Sequence, residues 1–306
     1  MKSFIYTLAI LSFLSAPVFA QSGSKKVIIT GVRFSYPLLK QWIDAYKVEH
    51  PDVDVVVETR TTTDPAKYDL LIEAYEPDVA AKESREFLYV GRYALLPVAN
   101  ASSAFASEFG DKGLTQALIR QIYFNDIYAD KKQQKEVKSA YTVYTRLQKA
   151  GAPITFARYF GYEQANIKGK AIAGADEHLV KALLKDSTGI SYNVPGLVYD
   201  LKTRKPLPGL KVIPVDADDS GKVSEEERFY DDLDKVLAEI GSGERKNIPL
   251  EFLHLSIAKG STNNDAYEFL QWVASHGQDA LSDYGFLKLD SRRLQAEKAK
   301  FDVAVN

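Results

Sequence analysis

The clearest pattern of apolar and polar positions lies between Val27 and Thr59. The apolar run Val27 to Thr30 predicts a strand, and Gly31 to Ser35 reads as a tight loop. From Tyr36 to about Val48, the residues Leu39, Trp42, Ile43 and Tyr46 fall at i, i+3, i+4 and i+7, one buried face of a helix. Ser35 at the cap position and Pro37 in the first turn mark its start. Val53 to Thr59 reads as a second strand. A loop entering a helix presents unpaired backbone N–H groups and the positive end of the helix dipole, a seat for an oxyanion. Most strand–loop–helix units bind nothing, so the rest of the chain decides what this one means.

The alternation continues. Strands are expected at Tyr68 to Ala74, Arg92 to Ala99, Tyr141 to Thr145, Gly189 to Asn193, Leu210 to Val215 and Phe252 to Ala258. Helices are expected at Leu114 to Tyr123, Ile154 to Phe160, Glu177 to Lys185, Glu225 to Ile240 and Ala266 to His276. Phe269, Leu270, Trp272 and Val273 form the buried side of the last, and Gly241-Ser242-Gly243 reads as a C-cap and linker. Lys131 to Lys138 is a charged, solvated stretch. This order predicts an α/β fold, and the length suggests two domains. No internal sequence repeat is visible.

Residues 1 to 20 read as a secretory signal, with Lys2 as the positive region, Phe4 to Leu14 as the apolar region and Val18-Phe19-Ala20 as the cleavage site. The mature chain is expected to start at Gln21, in the periplasm or outside the cell. The apolar region is too short to span a bilayer, so no membrane insertion is expected. The chain has no cysteine, which rules out a disulfide framework and a lipid-modified cysteine at the cleavage point. Net charge is −2, and nothing in that balance points to nucleic acid. The histidines His50, His178, His254 and His276 lack metal-ligand spacing. There is no cysteine nucleophile and no recognisable serine–histidine–acid arrangement, so catalysis is not expected. The carboxylates Asp64, Asp69 and Glu73 read as solvated groups beside a strand.

Five segments, in order, resemble the periplasmic phosphate-binding protein family of bacterial phosphate ABC transporters. They are Thr30 to Pro37 followed by Trp42 and Tyr46; Leu114-Thr115 through Gln121-Ile122-Tyr123; Arg146 through Gly151; Ser187 to Tyr192; and Phe269 to Trp272 with His276-Gly277-Gln278 and Tyr284-Gly285-Phe286. The resemblance implies a two-domain, type II periplasmic-binding-protein-like fold with the ligand held in the cleft. Domain I would comprise 21–99 and 252–306, and domain II 100–251, with crossovers along Arg92 to Ala99 and Phe252 to Ala258. It implies a monomeric receptor for phosphate or a similar tetrahedral oxyanion that serves an ABC permease by domain closure. Ser35, the Tyr36 N–H, Arg146 and the Gly151 N–H match the family's anion contacts, and the arginine fork suits an oxyanion. The sequence departs from that pattern at Ala150 and Ala152, which replace hydroxyl residues, and in the shortened loop Arg60 to Thr63, where Thr62 is the candidate donor. The family's proton-accepting aspartate falls near Ala74, beside Glu73, and Arg33 stands at a usual glycine. Arg33 and Arg60 could supply charge for a larger or more highly charged anion. The alternative is a divergent member without tight phosphate binding, acting as a calcium-stabilised sensory or interaction protein.

A separate motif supports the calcium part of either reading. Asp216 to Glu227 fits the twelve-residue calcium loop, with oxygen side chains at Asp216, Asp218, Ser220 and Ser224. Gly221 allows the turn, Lys222 offers its carbonyl, and Glu227 can bind through both oxygens. A strand precedes the loop where a paired hand would have a helix. The expectation is one structural Ca2+ rather than a sensor pair.

Overall fold

The computed structural model describes residues 25–60, 64–125, 137–243 and 245–302. The expected signal at 1–20, Thr62 and its neighbours 61 and 63, and most of the charged stretch 131–138 lie outside the described residues. The chain begins β1 (Lys25–Gly31), α1 (Tyr36–Glu49), β2 (Val53–Val57), β3 (Leu70–Glu73), α2 (Val79–Ser84) and β4 (Arg85–Ala94). It continues β5 (Leu96–Asn100), α3 (Ala104–Lys112), α4 (Gln116–Tyr123), β6 (Thr142–Arg146), α5 (Gly151–Tyr159), β7 (Lys170–Ile172) and α6 (Asp176–Lys185). Then come β8 (Gly189–Asn193), α7 (Pro195–Val198), β9 (Leu210–Val212), α8 (Leu233–Gly241), β10 (Leu250–Ala258), α9 (Asn264–His276) and α10 (Ser291–Asp302).

The strands form two five-stranded sheets, β2-β1-β3-β10-β4 and β7-β6-β8-β5-β9. Each has the same plan. In the first, β1 runs parallel to β2 and β3, and β10 runs antiparallel between β3 and β4. In the second, β6 runs parallel to β7 and β8, and β5 runs antiparallel between β8 and β9. This is the α/β, two-domain periplasmic-binding-protein-like architecture expected from the sequence.

The expected strand Arg92 to Ala99 is really two strands. β4 ends in the first sheet at Ala94, and β5 belongs to the second. The chain changes lobe at Leu95, whose N–H donates to the Pro249 carbonyl at 3.0 Å just before β10 returns to the first sheet. The expected helix Glu225 to Ile240 starts eight residues later, at Leu233. Asp232 fixes that start by accepting the N–H groups of Asp234 and Lys235, while the preceding acidic loop folds as turns. The helix ends with Ser242 in the right-handed region, so glycine does not cap it.

Around the first sheet, Leu39, Trp42 and Tyr46 of α1 are buried as their spacing predicted, and Ile43 is half-buried. The Tyr46 ring meets Phe269 of α9 edge-on at 5.1 Å, and the Trp42 Nε1–H donates to the Gly277 carbonyl at 3.0 Å. These contacts hold α1, and the loop before it, in place. In the second lobe Phe156 stacks on Tyr192 at 4.1 Å, which seats α5 against β8.

Replacing Trp42 with alanine removes a fully buried ring and orphans the Gly277 carbonyl. The expected loss is about 3–5 kcal/mol of unfolding free energy, read from the urea midpoint. A wild-type midpoint would show that α1 is not anchored through this side chain.

Candidate functional site

The loops after the parallel strands of each sheet face one another. Gly31 at the end of β1 lies beside Ile72 of β3, and Arg146 at the end of β6 lies beside Ile172 of β7. Ligand sites of α/β sheets form at such carboxyl ends. Here the β1–α1 loop, the end of β3, the β6–α5 loop and the β7–α6 loop enclose a cleft of about 690 Å³. The lobes touch at its floor. The Tyr93 hydroxyl donates to the Ala74 carbonyl and shares a second hydrogen bond with Thr155 of α5 at 2.9 Å. Gly151, the first residue of α5, sits over the same carbonyl, and a Cβ there would fall 2.6 Å from the Ala74 oxygen. Only glycine lets α5 approach so closely.

The main charged feature is an ion pair between neighbouring loops. The Arg146 Nη1 donates to Asp176 Oδ2 at 2.9 Å, with the two side chains 12% and 4% exposed. The pair forms because β6 and β7 run parallel, which places the β6–α5 loop beside the first turn of α6. Gln148 braces the loops, accepting the Gly174 N–H at 3.3 Å. Arg146 Nε and Asp176 Oδ1 are buried without a protein partner among the described residues. Burial pushes the Asp176 carboxyl up, and Arg146 pulls it part of the way back. Beside the pair, α5 opens at Ala150 without a side-chain cap. Helical geometry leaves the N–H groups of Gly151 and Ala152 without an acceptor inside the helix. Arg146 and this helix end together offer cationic and dipolar partners to an anion.

The structure sorts the expected anion residues. Arg146, Gly151 and Arg33 line the cleft. Ser35 and Tyr36 do not take their expected roles, because residues Arg33–Ser35 form a 3₁₀ turn before α1. Ser35 is fully buried, and its hydroxyl donates to the Val32 carbonyl at 2.7 Å. The Tyr36 N–H donates to the Arg33 carbonyl, and its hydroxyl to the Gly31 carbonyl at 3.1 Å. The expected cap bond from Ser35 is therefore not made. Arg33 also donates to the Thr59 carbonyl at 3.1 Å. It lies at the border with an outer groove of about 780 Å³ flanked by Tyr36, Lys40, Arg60 and Glu177. Glu73 lines the cleft and accepts the Tyr75 hydroxyl at 2.8 Å. Sequence reasoning missed Asp176, because an acid opening a helix reads as a dipole partner and nothing in the sequence names its arginine.

The acidic loop forms a second candidate site. Carboxylate oxygens of Asp216, Asp218 and Glu227 converge within 4.8 Å of one another. Asp216 and Glu227 are buried, and among the described residues no lysine or arginine forms an ion pair with any of the three. Asp216 accepts the N–H groups of Ser220 and Gly221, and Glu227 those of Ala217, Asp218 and Ser224. The Ser220 hydroxyl donates to the Lys222 carbonyl at 3.0 Å, which places those two expected donors side by side. The turn needs left-handed backbone at Asp219 (φ 64°) and Gly221 (φ 91°). The Asn247 side chain holds the Asp216 carbonyl at 2.7 Å, tying the loop to the body of the lobe.

The raised Asp176 carboxyl has a consequence for stability. The folded chain holds this proton more tightly than the unfolded chain, where an aspartate titrates near about 3.9. Its contribution is therefore fully present below that unfolded value and is lost as pH rises through the folded one. Asp176→Asn should flatten the dependence of melting temperature on pH in this acid window. An unchanged slope would show that another group sets it.

No protein-family model matches this chain, and no curated protein matches it. Solved structures do. A provisionally assigned phosphate ABC transporter substrate-binding protein of Clostridium perfringens, solved with bound phosphate, is 14% identical with a TM-score of 0.63, covering 87% of this chain and 100% of that one. An ABC-type phosphate transport receptor of Vibrio cholerae is 14% identical with a TM-score of 0.57, covering 86% and 100%. A provisionally assigned phosphate-binding protein of Planctomyces limnophilus is 14% identical with a TM-score of 0.55, covering 92% and 99%. At this identity the likeness is one of fold, and it extends over nearly the whole length of each of these proteins.

Proposed function

We propose that the chain is an extracytoplasmic receptor that grips a tetrahedral oxyanion, phosphate or a relative, between its lobes and delivers it to an ABC permease. The observation that carries this reading is the placement of Arg146 beside the uncapped start of α5, in a cleft walled by both lobes. The neighbours' phosphate binding and transport roles support it, as does the secretory signal read at residues 1–20. Among the described residues no helix is long and apolar enough to cross a membrane. The chain's own role is binding and closure. Arg146, held by Asp176, meets the anion, and the N–H groups of Gly151 and Ala152 meet its oxygens as the lobes close and exclude water. Arg33 adds positive charge at the rim. A hydrogen bond to a charged group contributes about 1.5–3 kcal/mol, so few contacts are needed for micromolar binding.

The second reading, a family member without tight phosphate binding, is favoured by one set of observations. The donors at Ser35 and Tyr36 are engaged with backbone carbonyls, and α5 carries alanines where hydroxyls would help.

We assign a structural Ca2+ to the acidic loop under either reading. Asp216, Asp218, Ser220, the Lys222 carbonyl, Ser224 and Glu227 would hold it. The fit rests on converging carboxylates without a cationic partner and on an all-oxygen donor set, which suits a hard cation. Bound Ca2+ would neutralise that repulsion and fix the turn that leads to α8.

Arg146→Ala should weaken phosphate binding by at least about tenfold, or ~1.4 kcal/mol, measured by isothermal titration calorimetry. Unchanged affinity would remove Arg146 from the site. Millimolar Ca2+ should raise the melting temperature relative to chelator, and Glu227→Gln should reduce that rise. Equal melting in both conditions would overturn the calcium assignment.

A further inference from the structure

The geometry points to a hydroxylated organic phosphate, a phosphorylated sugar or polyol, as the ligand of the cleft in preference to inorganic phosphate. This rests on the oxyanion reading above and narrows it. The first ground is size. Before the lobes close, the cleft of about 690 Å³ lies within the range of sites for organic ligands, roughly 300–1,000 Å³, and so admits one. An inorganic phosphate displaces only a few waters' worth of space, on the order of 100 Å³.

The second ground is the supply of donors. A small ion held alone is best served by many donors converging on it, and this cleft spares few hydroxyls to add to Arg146 and the α5 N–H groups. Thr30 in the cleft wall gives its hydroxyl to the Glu58 carbonyl, and Tyr75 gives its own to Glu73. Ser35 is turned inward, and Ala150 and Ala152 have no hydroxyl to offer.

The third ground is acceptors. Asp176 Oδ1 is buried, borders the cleft and has no partner, so it calls for a hydrogen-bond donor on the ligand. Glu73 presents a second carboxylate from the opposite lobe. The single proton of a hydrogen phosphate can serve one of these carboxylates but not both, whereas several ligand hydroxyls can serve the pair, and Arg33 and Lys149 in the same lining offset their charge. Val32, Leu71 and the rings of Tyr68 and Tyr75 also line the cleft, apolar surface on which the C–H face of a sugar can lie. The phosphate would sit on Arg146 and the start of α5, and the hydroxyls on Asp176 and Glu73. The outer groove past Arg33 leaves room for a longer skeleton, with Lys40 and Arg60 drawing anions to the mouth.

The test is calorimetric titration of the full mature protein with inorganic phosphate, glycerol 3-phosphate, glucose 6-phosphate and glucose. At least one of the two organic phosphates should bind about tenfold or more tightly than inorganic phosphate, while glucose alone binds far more weakly. Glu73→Ala should narrow that preference to about threefold or less, and Glu73→Gln should narrow it by less. Inorganic phosphate binding as tightly as both organic phosphates would overturn the inference and leave the oxyanion receptor standing. Failure of every anion to bind would overturn both.

Discussion

The carbonyl of Ala74 is the point on which the arrangement of the cleft depends. It lies just past the end of β3, accepts the Tyr93 hydroxyl and carries the start of α5 above it. Three requirements meet there. Tyr93 must be fully buried on β4, Thr155 must face it from α5, and residue 151 must lack a side chain. A buried carbonyl without a donor would cost about 1–3 kcal/mol, so the tyrosine is what makes this junction stable. Because the junction ties α5 to the first lobe, it sets where the helix start stands relative to the loops of β1 and β3 and gives the lobes a point about which to close. Gly31 has the same role one strand away. Its φ of 138° and the 1.9 Å separation a Cβ would have from the Ile72 carbonyl leave no room for another residue.

Electrostatics inside the cleft are mixed rather than simply positive, with Arg33, Arg146 and Lys149 set against Glu73 and Asp176. Arg146 is largely committed to Asp176, and a buried pair of this kind gains little net stability because both charges lose water. Its effect is on position. Asp176 holds the guanidinium in one orientation, while the unpartnered Nε and Oδ1 give the wall one donor and one acceptor. The field at the mouth differs, with Arg33, Arg60 and Lys40 outnumbering Glu177. A ligand therefore meets positive charge on approach and mixed polarity on arrival.

Much of this was legible in the sequence, for identifiable reasons. The α1 stripe and the α9 stripe are strongly periodic, and both are buried as read except at the half-buried Ile43. The loop Asp216 to Glu227 has a fixed order of oxygen side chains, and the structure brings its carboxylates together. Elements held by polar contacts were harder to see. Strand β7 has three residues, two of them exposed, so it offers no apolar run to find. The break at Leu95 is hidden because β4 and β5 are both buried and their apolar sequence runs on without interruption. Ser35 was misread because serine before a helix usually caps it, whereas a 3₁₀ turn here directs the hydroxyl back to Val32. Asp176 and Arg146 are 30 residues apart, and only the parallel pairing of β6 with β7 makes them neighbours. The two sheets share one plan without any visible sequence repeat, since strand order constrains apolarity and not identity.

The position of β10 has a bearing on how the chain reaches its native state. The second sheet is built from strands within residues 96–212, a continuous segment. The first sheet has a gap between β3 and β4 that only Leu250–Ala258 can fill. A chain emerging from its N-terminus therefore completes the later lobe's sheet first. Meanwhile β3 and β4 keep unpaired edges until more than four-fifths of the 306 residues have appeared. Open edges of this kind invite pairing with other chains, and non-local closure is slow. The early lobe's sheet is thus the last to close, although most of its residues are the first to arrive.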